Sequence, residues 1–145
     1  MFKTARDLRQ KHAYCVSHLR NCEVNVIESD CKVAGLPCSP HTPQRAGSSQ
    51  KPAQQHEEFE VLHEYVKSIV QSGCHGGIVE EVPGFLKPLK PHEVKLDSRV
   101  TKMPKSWCHY LVKVLQQMGY SVKVIRLSNA TWINVLRVRL ECFIE

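Results

Sequence analysis

Residues 32–38 read Lys-Val-Ala-Gly-Leu-Pro-Cys, a short apolar run that stops at Pro37 and is followed by Cys38. A buried parallel strand ends in this way when its loop emerges at the carboxyl edge of a sheet. A second short apolar run, Ile78-Val79, ends at Glu80 and is followed by Glu-Val-Pro-Gly. The two segments predict parallel strands whose loops carry Cys38 and Glu80 to one cleft, at the edge where such sheets bind ligands.

Two helical patterns and two further strands complete the predicted architecture. The first helix ends at Gly73 and has apolar residues at steps of three and four: Phe59, Leu62, Val66, Ile69 and Val70. The second begins near Pro104, which suits a first helical turn, and ends at Gly119. Residues 120–127 and 135–144 follow, and both have the alternation of half-buried strands.

This order of elements predicts an α/β fold with a partial, Rossmann-like sheet. We expect the sheet to be mainly parallel, with a C-terminal antiparallel strand pair. Residues 1–20 have a weak helical pattern at Leu8, Val16 and Leu19, and residues 24–27 predict a short strand. Residues 39–55 and the proline-rich stretch up to Met103 predict loops.

Length and cysteine usage limit the class of protein. A chain of 145 residues suits one domain. It has no run of about 18 apolar residues, and its N-terminus has no apolar stretch typical of a secretory signal. The seven cysteines are therefore expected to be reduced thiols in the cytoplasm or nucleus, in a protein that is not secreted.

Zinc binding is the rival explanation for the cysteines. The chain has no Cys-x-x-Cys pair, and Cys74-His75 and Cys108-His109 cannot both point at one metal from regular structure. We therefore expect no metal ligands.

The net charge of +6 is unevenly distributed, since six basic residues fall within residues 87–105 and Arg137 and Arg139 lie near the end. A basic surface favours a polyanionic partner through counterion release. On charge alone, a solvated loop that keeps the protein soluble explains the same residues.

Three segments in a fixed order resemble the C5-cytosine-specific DNA methyltransferase family. Residues 34–40 (AGLPCSP) resemble its Gly-x-Pro-Cys-Gln loop, and residues 79–85 (VEEVPGF) resemble its Glu-Asn-Val loop. Arg137-Val-Arg139 resembles its Gln-x-Arg-x-Arg strand, placed after a helix, a Gly-Tyr strand and a small-residue turn. The resemblance covers residues 30–144.

The resemblance implies a covalent mechanism. Cys38 would attack carbon 6 of cytosine as a thiolate, which makes carbon 5 nucleophilic enough to take a methyl group from S-adenosylmethionine. Glu80 would hold ring nitrogen 3, and Arg137 and Arg139 would bind the carbonyl oxygen of the base and support the cysteine loop. The cytosine of duplex DNA would first be flipped out of the stack, and RNA is the alternative substrate.

By the same resemblance, Pro37, Val61 and Leu62 would contact the cofactor. The family's Phe-x-Gly-x-Gly cofactor loop has no counterpart in residues 1–29, so residues 30–145 are expected to be the central part of a catalytic domain. The chain also departs from the family at Ser39 and Val135, which replace glutamines, and at Glu81, which replaces the asparagine.

Three hypotheses follow from these observations. The first is an incomplete C5-methyltransferase. The second is a catalytically inactive module of methyltransferase origin that binds nucleic acid or protein through its basic residues. The third is an unrelated small domain rich in Cys and His.

Overall fold

The computed structural model describes residues 10–24, 30–37, 41, 53–98, 100–128 and 134–142. They form a mixed α/β structure with two sheets and two α-helices. The elements are β1 (His12–Cys15), β2 (Arg20–Glu23), β3 (Cys31–Gly35), α1 (Glu60–Gln71), β4 (Gly76–Glu81), α2 (Trp107–Gln117), β5 (Tyr120–Ser128) and β6 (Asn134–Cys142). Short 3-10 turns lie at Ala53–Gln55, Glu57–Phe59, Pro83–Leu86 and Pro91–Glu93.

The main sheet has the strand order β3-β4-β6-β5. β3 and β4 are parallel, whereas β6 is antiparallel to both β4 and β5. The prediction of a C-terminal antiparallel pair is confirmed, but the prediction of a mainly parallel sheet is wrong for the described strands. The reason is that β6 inserts between β4 and β5 instead of continuing the parallel series, so one of three strand contacts is parallel.

Both helices are close to their predicted ranges. α1 ends before Gly73, whose φ of 59° lies in the left-handed region that glycine adopts without a steric penalty. α2 begins at Trp107, so Pro104 lies before the helix and not in its first turn as predicted. Ser106 is the N-cap, and its hydroxyl accepts a hydrogen bond from the backbone N–H of His109 at 3.0 Å.

One hydrophobic core lies between the main sheet and the two helices. It joins Ile69 of α1 and Leu111 of α2 to Val79 of β4, and all three side chains are fully buried. Along β4 the burial alternates, so Val79 and Glu81 are buried and Ile78 and Glu80 are only half-buried. On β3, Val33 is 73% exposed. The helices therefore cover one face of the sheet and leave the other face more open.

The N-terminal segment folds as a β-hairpin, which corrects the prediction of a helix. β1 and β2 form an antiparallel pair in a sheet of their own. Val16 and Leu19, which suggested a helical face, lie in the connecting turn and are 47% and 73% exposed. A short strand was predicted for residues 24–27. Val24 lies outside any strand, and residues 25–27 lie outside the described residues.

Neither helix among the described residues has the length and apolar run that a membrane-spanning helix requires. The proline-rich stretch between β4 and α2 is irregular, as predicted, apart from its 3-10 turns.

Candidate functional site at the carboxyl edge of the sheet

The carboxyl ends of β3 and β4 lie side by side. Gly35 is the Cα partner of Glu80, and the backbone N–H of Leu36 donates a hydrogen bond to the Glu80 carbonyl oxygen at 3.3 Å. Pro37, which follows, is half-buried. Cys38 lies outside the described residues, so its distance to Glu80 stays a prediction. The chain leading to Cys38 reaches the same sheet edge as Glu80.

His41 also contacts the loop that follows β4. Its ring packs edge-on against Phe85, with a centroid distance of 4.8 Å, and more distantly against Phe59, at 6.3 Å. A Cβ atom at Gly84 would collide with the backbone carbonyl of His41. The described residues before and after Cys38 thus both contact the segment that begins at Glu80.

Gly84→Ala should weaken the contact between these two loops. The added methyl group would meet backbone atoms of His41, which cannot rotate away, so we expect a loss of about 1–3 kcal/mol in the free energy of unfolding. Gly35→Ala is the matched control, since a Cβ there meets nothing within 4 Å. Urea denaturation measures both variants, and equal stability of the two would contradict the close approach at Gly84.

The register of β6 places the predicted arginines beside β4. Arg137 is the Cα partner of Glu80, and Arg139 is the Cα partner of Ile78. The backbone therefore brings Arg137 next to Glu80 at the sheet edge and places Arg139 two positions farther from it along β6. This register is a strand pairing that no local pattern in the sequence specifies.

Glu81 occupies a different environment from Glu80. It is 3% exposed, on the face that the helices cover, and burial raises its pKa to about 8. A hydrogen bond of 3.0 Å from the Val82 backbone N–H opposes that shift in part. Cys108 of α2 has its pKa raised to about 11, by burial first and by the Glu81 charge second. A pKa of about 8 favours the protonated form of Glu81 at neutral pH. Alternation along the strand from buried Val79 is the sequence signal that separates Glu81 from Glu80.

The residues expected to contact the cofactor differ in accessibility. Leu62 is 3% exposed and belongs to the core, so its side chain is used in packing. Val61 is only partly buried against that core, and Pro37 is half-buried. Pro37 and Val61 are the two that retain surface for a ligand.

The basic stretch between β4 and α2 is solvent-exposed. Its exposed lysines are Lys87, Lys90, Lys95, Lys102 and Lys105. Arg99 lies outside the described residues. These ammonium groups are available to a polyanion and equally to water.

No protein-family model matches the chain, and no curated protein matches it in sequence. Among solved structures, the chain is similar to the methyltransferase EhMeth of Entamoeba histolytica, with a TM-score of 0.52 and 15% sequence identity. The match covers 79% of this chain and 32% of that chain, so this chain spans about a third of the neighbour's length. Likeness at this identity establishes that the described elements share a fold with part of a methyltransferase.

Proposed function

We propose that residues 30–145 are the central part of a C5-cytosine-specific DNA methyltransferase domain, built on a partial Rossmann-like sheet. The observation that carries the proposal is the sheet edge where the chain leading to Pro37 and Cys38 meets Glu80, with Arg137 as the Cα partner of Glu80. The order of the Pro-Cys, Glu-Glu-Val and Arg-x-Arg segments supports the same assignment. The methyltransferase neighbour supports the fold that this function requires.

In the proposed reaction, the Cys38 thiolate adds to carbon 6 of a cytosine flipped out of duplex DNA. The addition makes carbon 5 nucleophilic, so that it would accept the methyl group of a bound sulfonium donor, with the donor's thioether as the leaving group. Loss of the carbon 5 proton to solvent would then re-form the double bond and release the thiolate. The carboxyl group of Glu80 holds ring nitrogen 3 by a hydrogen bond and stabilises the charge that develops there. Arg137 and Arg139 bind the carbonyl oxygen of the base and support the cysteine loop.

S-adenosylmethionine, when bound, supplies the methyl group. The described residues fit it in part, since Pro37 and Val61 keep exposed surface whereas Leu62 is used in the core. Residues 1–29 contain no Phe-x-Gly-x-Gly loop, the element through which glycines let the backbone approach such a cofactor closely.

Isothermal titration calorimetry of this chain with S-adenosylmethionine should therefore give no binding at low micromolar concentration. Without the cofactor loop, contacts such as those from Pro37 and Val61 bury too little of the ligand to offset its loss of translational freedom on binding. A dissociation constant in the low micromolar range would show that the chain contains a complete cofactor site. The product S-adenosylhomocysteine is the control ligand and should behave in the same way.

A second candidate function is a catalytically inactive module that binds DNA, RNA or a protein. The exposed lysines between residues 87 and 105 favour it, because a phosphate backbone contacts such a surface without any chemistry. Covalent trapping of 5-fluorocytosine in DNA tests the two functions against each other, since only the enzyme forms a bond to the base.

A further inference from the structure

The turn of the N-terminal hairpin brings together three side chains that the sequence analysis did not group. Cys15 ends β1, His18 lies in the turn, and Cys22 lies in β2. One ligand atom from each lies within 4.8 Å of the other two, and Nδ1 of His18 is 3.3 Å from Sγ of Cys22. Among the residues that the structure describes, these three form the one group of at least three Cys, His, Asp or Glu side chains close enough together to bind one metal ion.

The hairpin register explains why these side chains meet. Ala13 is the Cα partner of Cys22, and Cys15 lies two residues beyond Ala13 on the same strand. Residues two apart share a face of a strand, so both cysteines are on one face of the hairpin. The turn then places His18 close to Cys22. The spacing Cys-x-x-His-x-x-x-Cys was the signal in the sequence, and a search for Cys-x-x-Cys pairs misses it.

The separations suit a tetrahedral metal ion with little rearrangement. With Zn–S bonds of about 2.3 Å and Zn–N bonds of about 2.0 Å, neighbouring ligand atoms in a zinc site are about 3.5–3.8 Å apart. Nδ1 of His18 and Sγ of Cys22 are 3.3 Å apart, and no two ligand atoms of the three residues are more than 4.8 Å apart. The range expected for zinc lies between these two values. No cysteine of the group is in a disulfide, so both sulfurs can ionise to thiolates.

We infer that Cys15, His18 and Cys22 bind one zinc ion. Two thiolates and a neutral imidazole balance the charge of Zn²⁺, and soft sulfur donors select zinc over the oxygen-seeking Mg²⁺ and Ca²⁺. Within the described part of the chain these three are the protein ligands, and water fills the fourth position. Both cysteines bind the ion as thiolates and the imidazole binds it in its neutral form.

A zinc ion here has a structural consequence. The hairpin has strands of four residues each and forms a sheet separate from the main one. Isolated two-stranded hairpins are marginally stable in water. Leu19, in the same turn, adopts a left-handed backbone with φ of 51°, which is unfavourable for a residue with a Cβ. A metal that joins the turn to both strands holds this conformation.

Titration of the full, reduced, metal-free chain with Co²⁺ and then Zn²⁺ tests the inference. We expect the visible absorption of tetrahedral cobalt, together with a thiolate charge-transfer band, to saturate at one equivalent and to disappear when zinc is added. Cys22→Ser and His18→Ala should each weaken zinc binding by more than about 100-fold. Mutating residues that only hydrogen-bond to a metal ligand already lowers metal affinity by about 10–100-fold, and loss of a ligand should cost more. Cys31→Ser is the matched control, since Cys31 is exposed and lies outside the group.

Amide hydrogen exchange gives a second measurement that does not depend on the variants folding. Zinc should slow exchange in residues 12–23 of the unmodified chain and leave α1 and α2 unchanged. Absence of a saturable cobalt band in the reduced chain would overturn the inference. The inference would also be wrong if Cys22→Ser left the zinc affinity unchanged. It would be wrong as well if Cys15 and Cys22 formed a disulfide and the chain took up no zinc after reduction.

Discussion

A chimera in which residues 30–144 replace the corresponding part of a complete C5-cytosine methyltransferase should form a covalent complex with DNA that contains 5-fluorocytosine. Fluorine at carbon 5 prevents the loss of a proton that normally frees the enzyme, so a productive attack by Cys38 leaves a stable bond to carbon 6. Denaturing gel electrophoresis detects the complex. The chimera supplies the family's cofactor loop, which has no counterpart in residues 1–29.

Cys38→Ser should lower the trapped fraction of this chimera to background, because a hydroxyl is far less ionised than a thiol near neutral pH. Glu80→Gln should slow trapping by about 10²–10⁴-fold, the range for loss of a positioned acid. Glu81→Asn should trap as fast as the parent or faster, since it restores the family's residue. Cys31→Ser is the control, because an exposed cysteine outside the Pro-Cys loop should be dispensable.

Trapping by the Cys38→Ser chimera at the parent's level would show that the nucleophile is assigned wrongly. A chimera that is folded, by circular dichroism, and binds DNA without ever forming the covalent complex would favour the inactive binding module. The two results are distinct, because the first leaves chemistry in place and the second does not.

The buried carboxyl of Glu81 should make the free energy of unfolding depend on pH. Its pKa is raised from 4.5 to about 8 in the folded chain, so the folded state holds a proton that the unfolded state loses. Below pH 4.5 both states hold the proton, and the stability contributed by this group is fully present. As the pH rises from 4.5 to about 8, ionisation increasingly favours the unfolded state and this stability is lost. Between pH 5 and 8.5, the free energy of unfolding should fall by an amount on the order of 4 kcal/mol through this group.

Glu81→Gln should remove most of that pH dependence, because the amide keeps the shape and hydrogen-bonding capacity of the protonated acid and carries no charge. Urea denaturation of both proteins across this pH range measures the difference, and groups that titrate in both cancel from it. Glu80→Gln is the matched control, since it removes a carboxyl group from the neighbouring, half-buried position of the same strand. A parent and a Glu81→Gln variant that lose stability in parallel would contradict a buried, protonated Glu81.

The sequence by itself determined the elements whose patterns are local. The steps of three and four from Phe59 to Val70 and the glycine at position 73 specify α1 and its end, because an amphipathic face and a residue that tolerates positive φ are properties of neighbouring residues. The end of β3 was predicted for a similar reason, because proline has no backbone N–H to donate and an apolar run that stops at Pro37 cannot continue as a buried strand. β4, by contrast, extends past Glu80 to the buried Glu81.

Only the tertiary structure decided that β6 also pairs with β4. The antiparallel pairing of β5 with β6 joins strands close in the sequence and was predicted, whereas the pairing that inserts β6 beside β4 joins segments distant in the sequence. That insertion, and no local pattern, sets Arg137 opposite Glu80. The raised pKa of Glu81 likewise arises from burial in the folded chain. Cys15, His18 and Cys22 are close in the sequence, but the hairpin register decides that their side chains meet. Strand pairing and burial depend on which distant surfaces meet, and a single sequence states only which surfaces each segment offers.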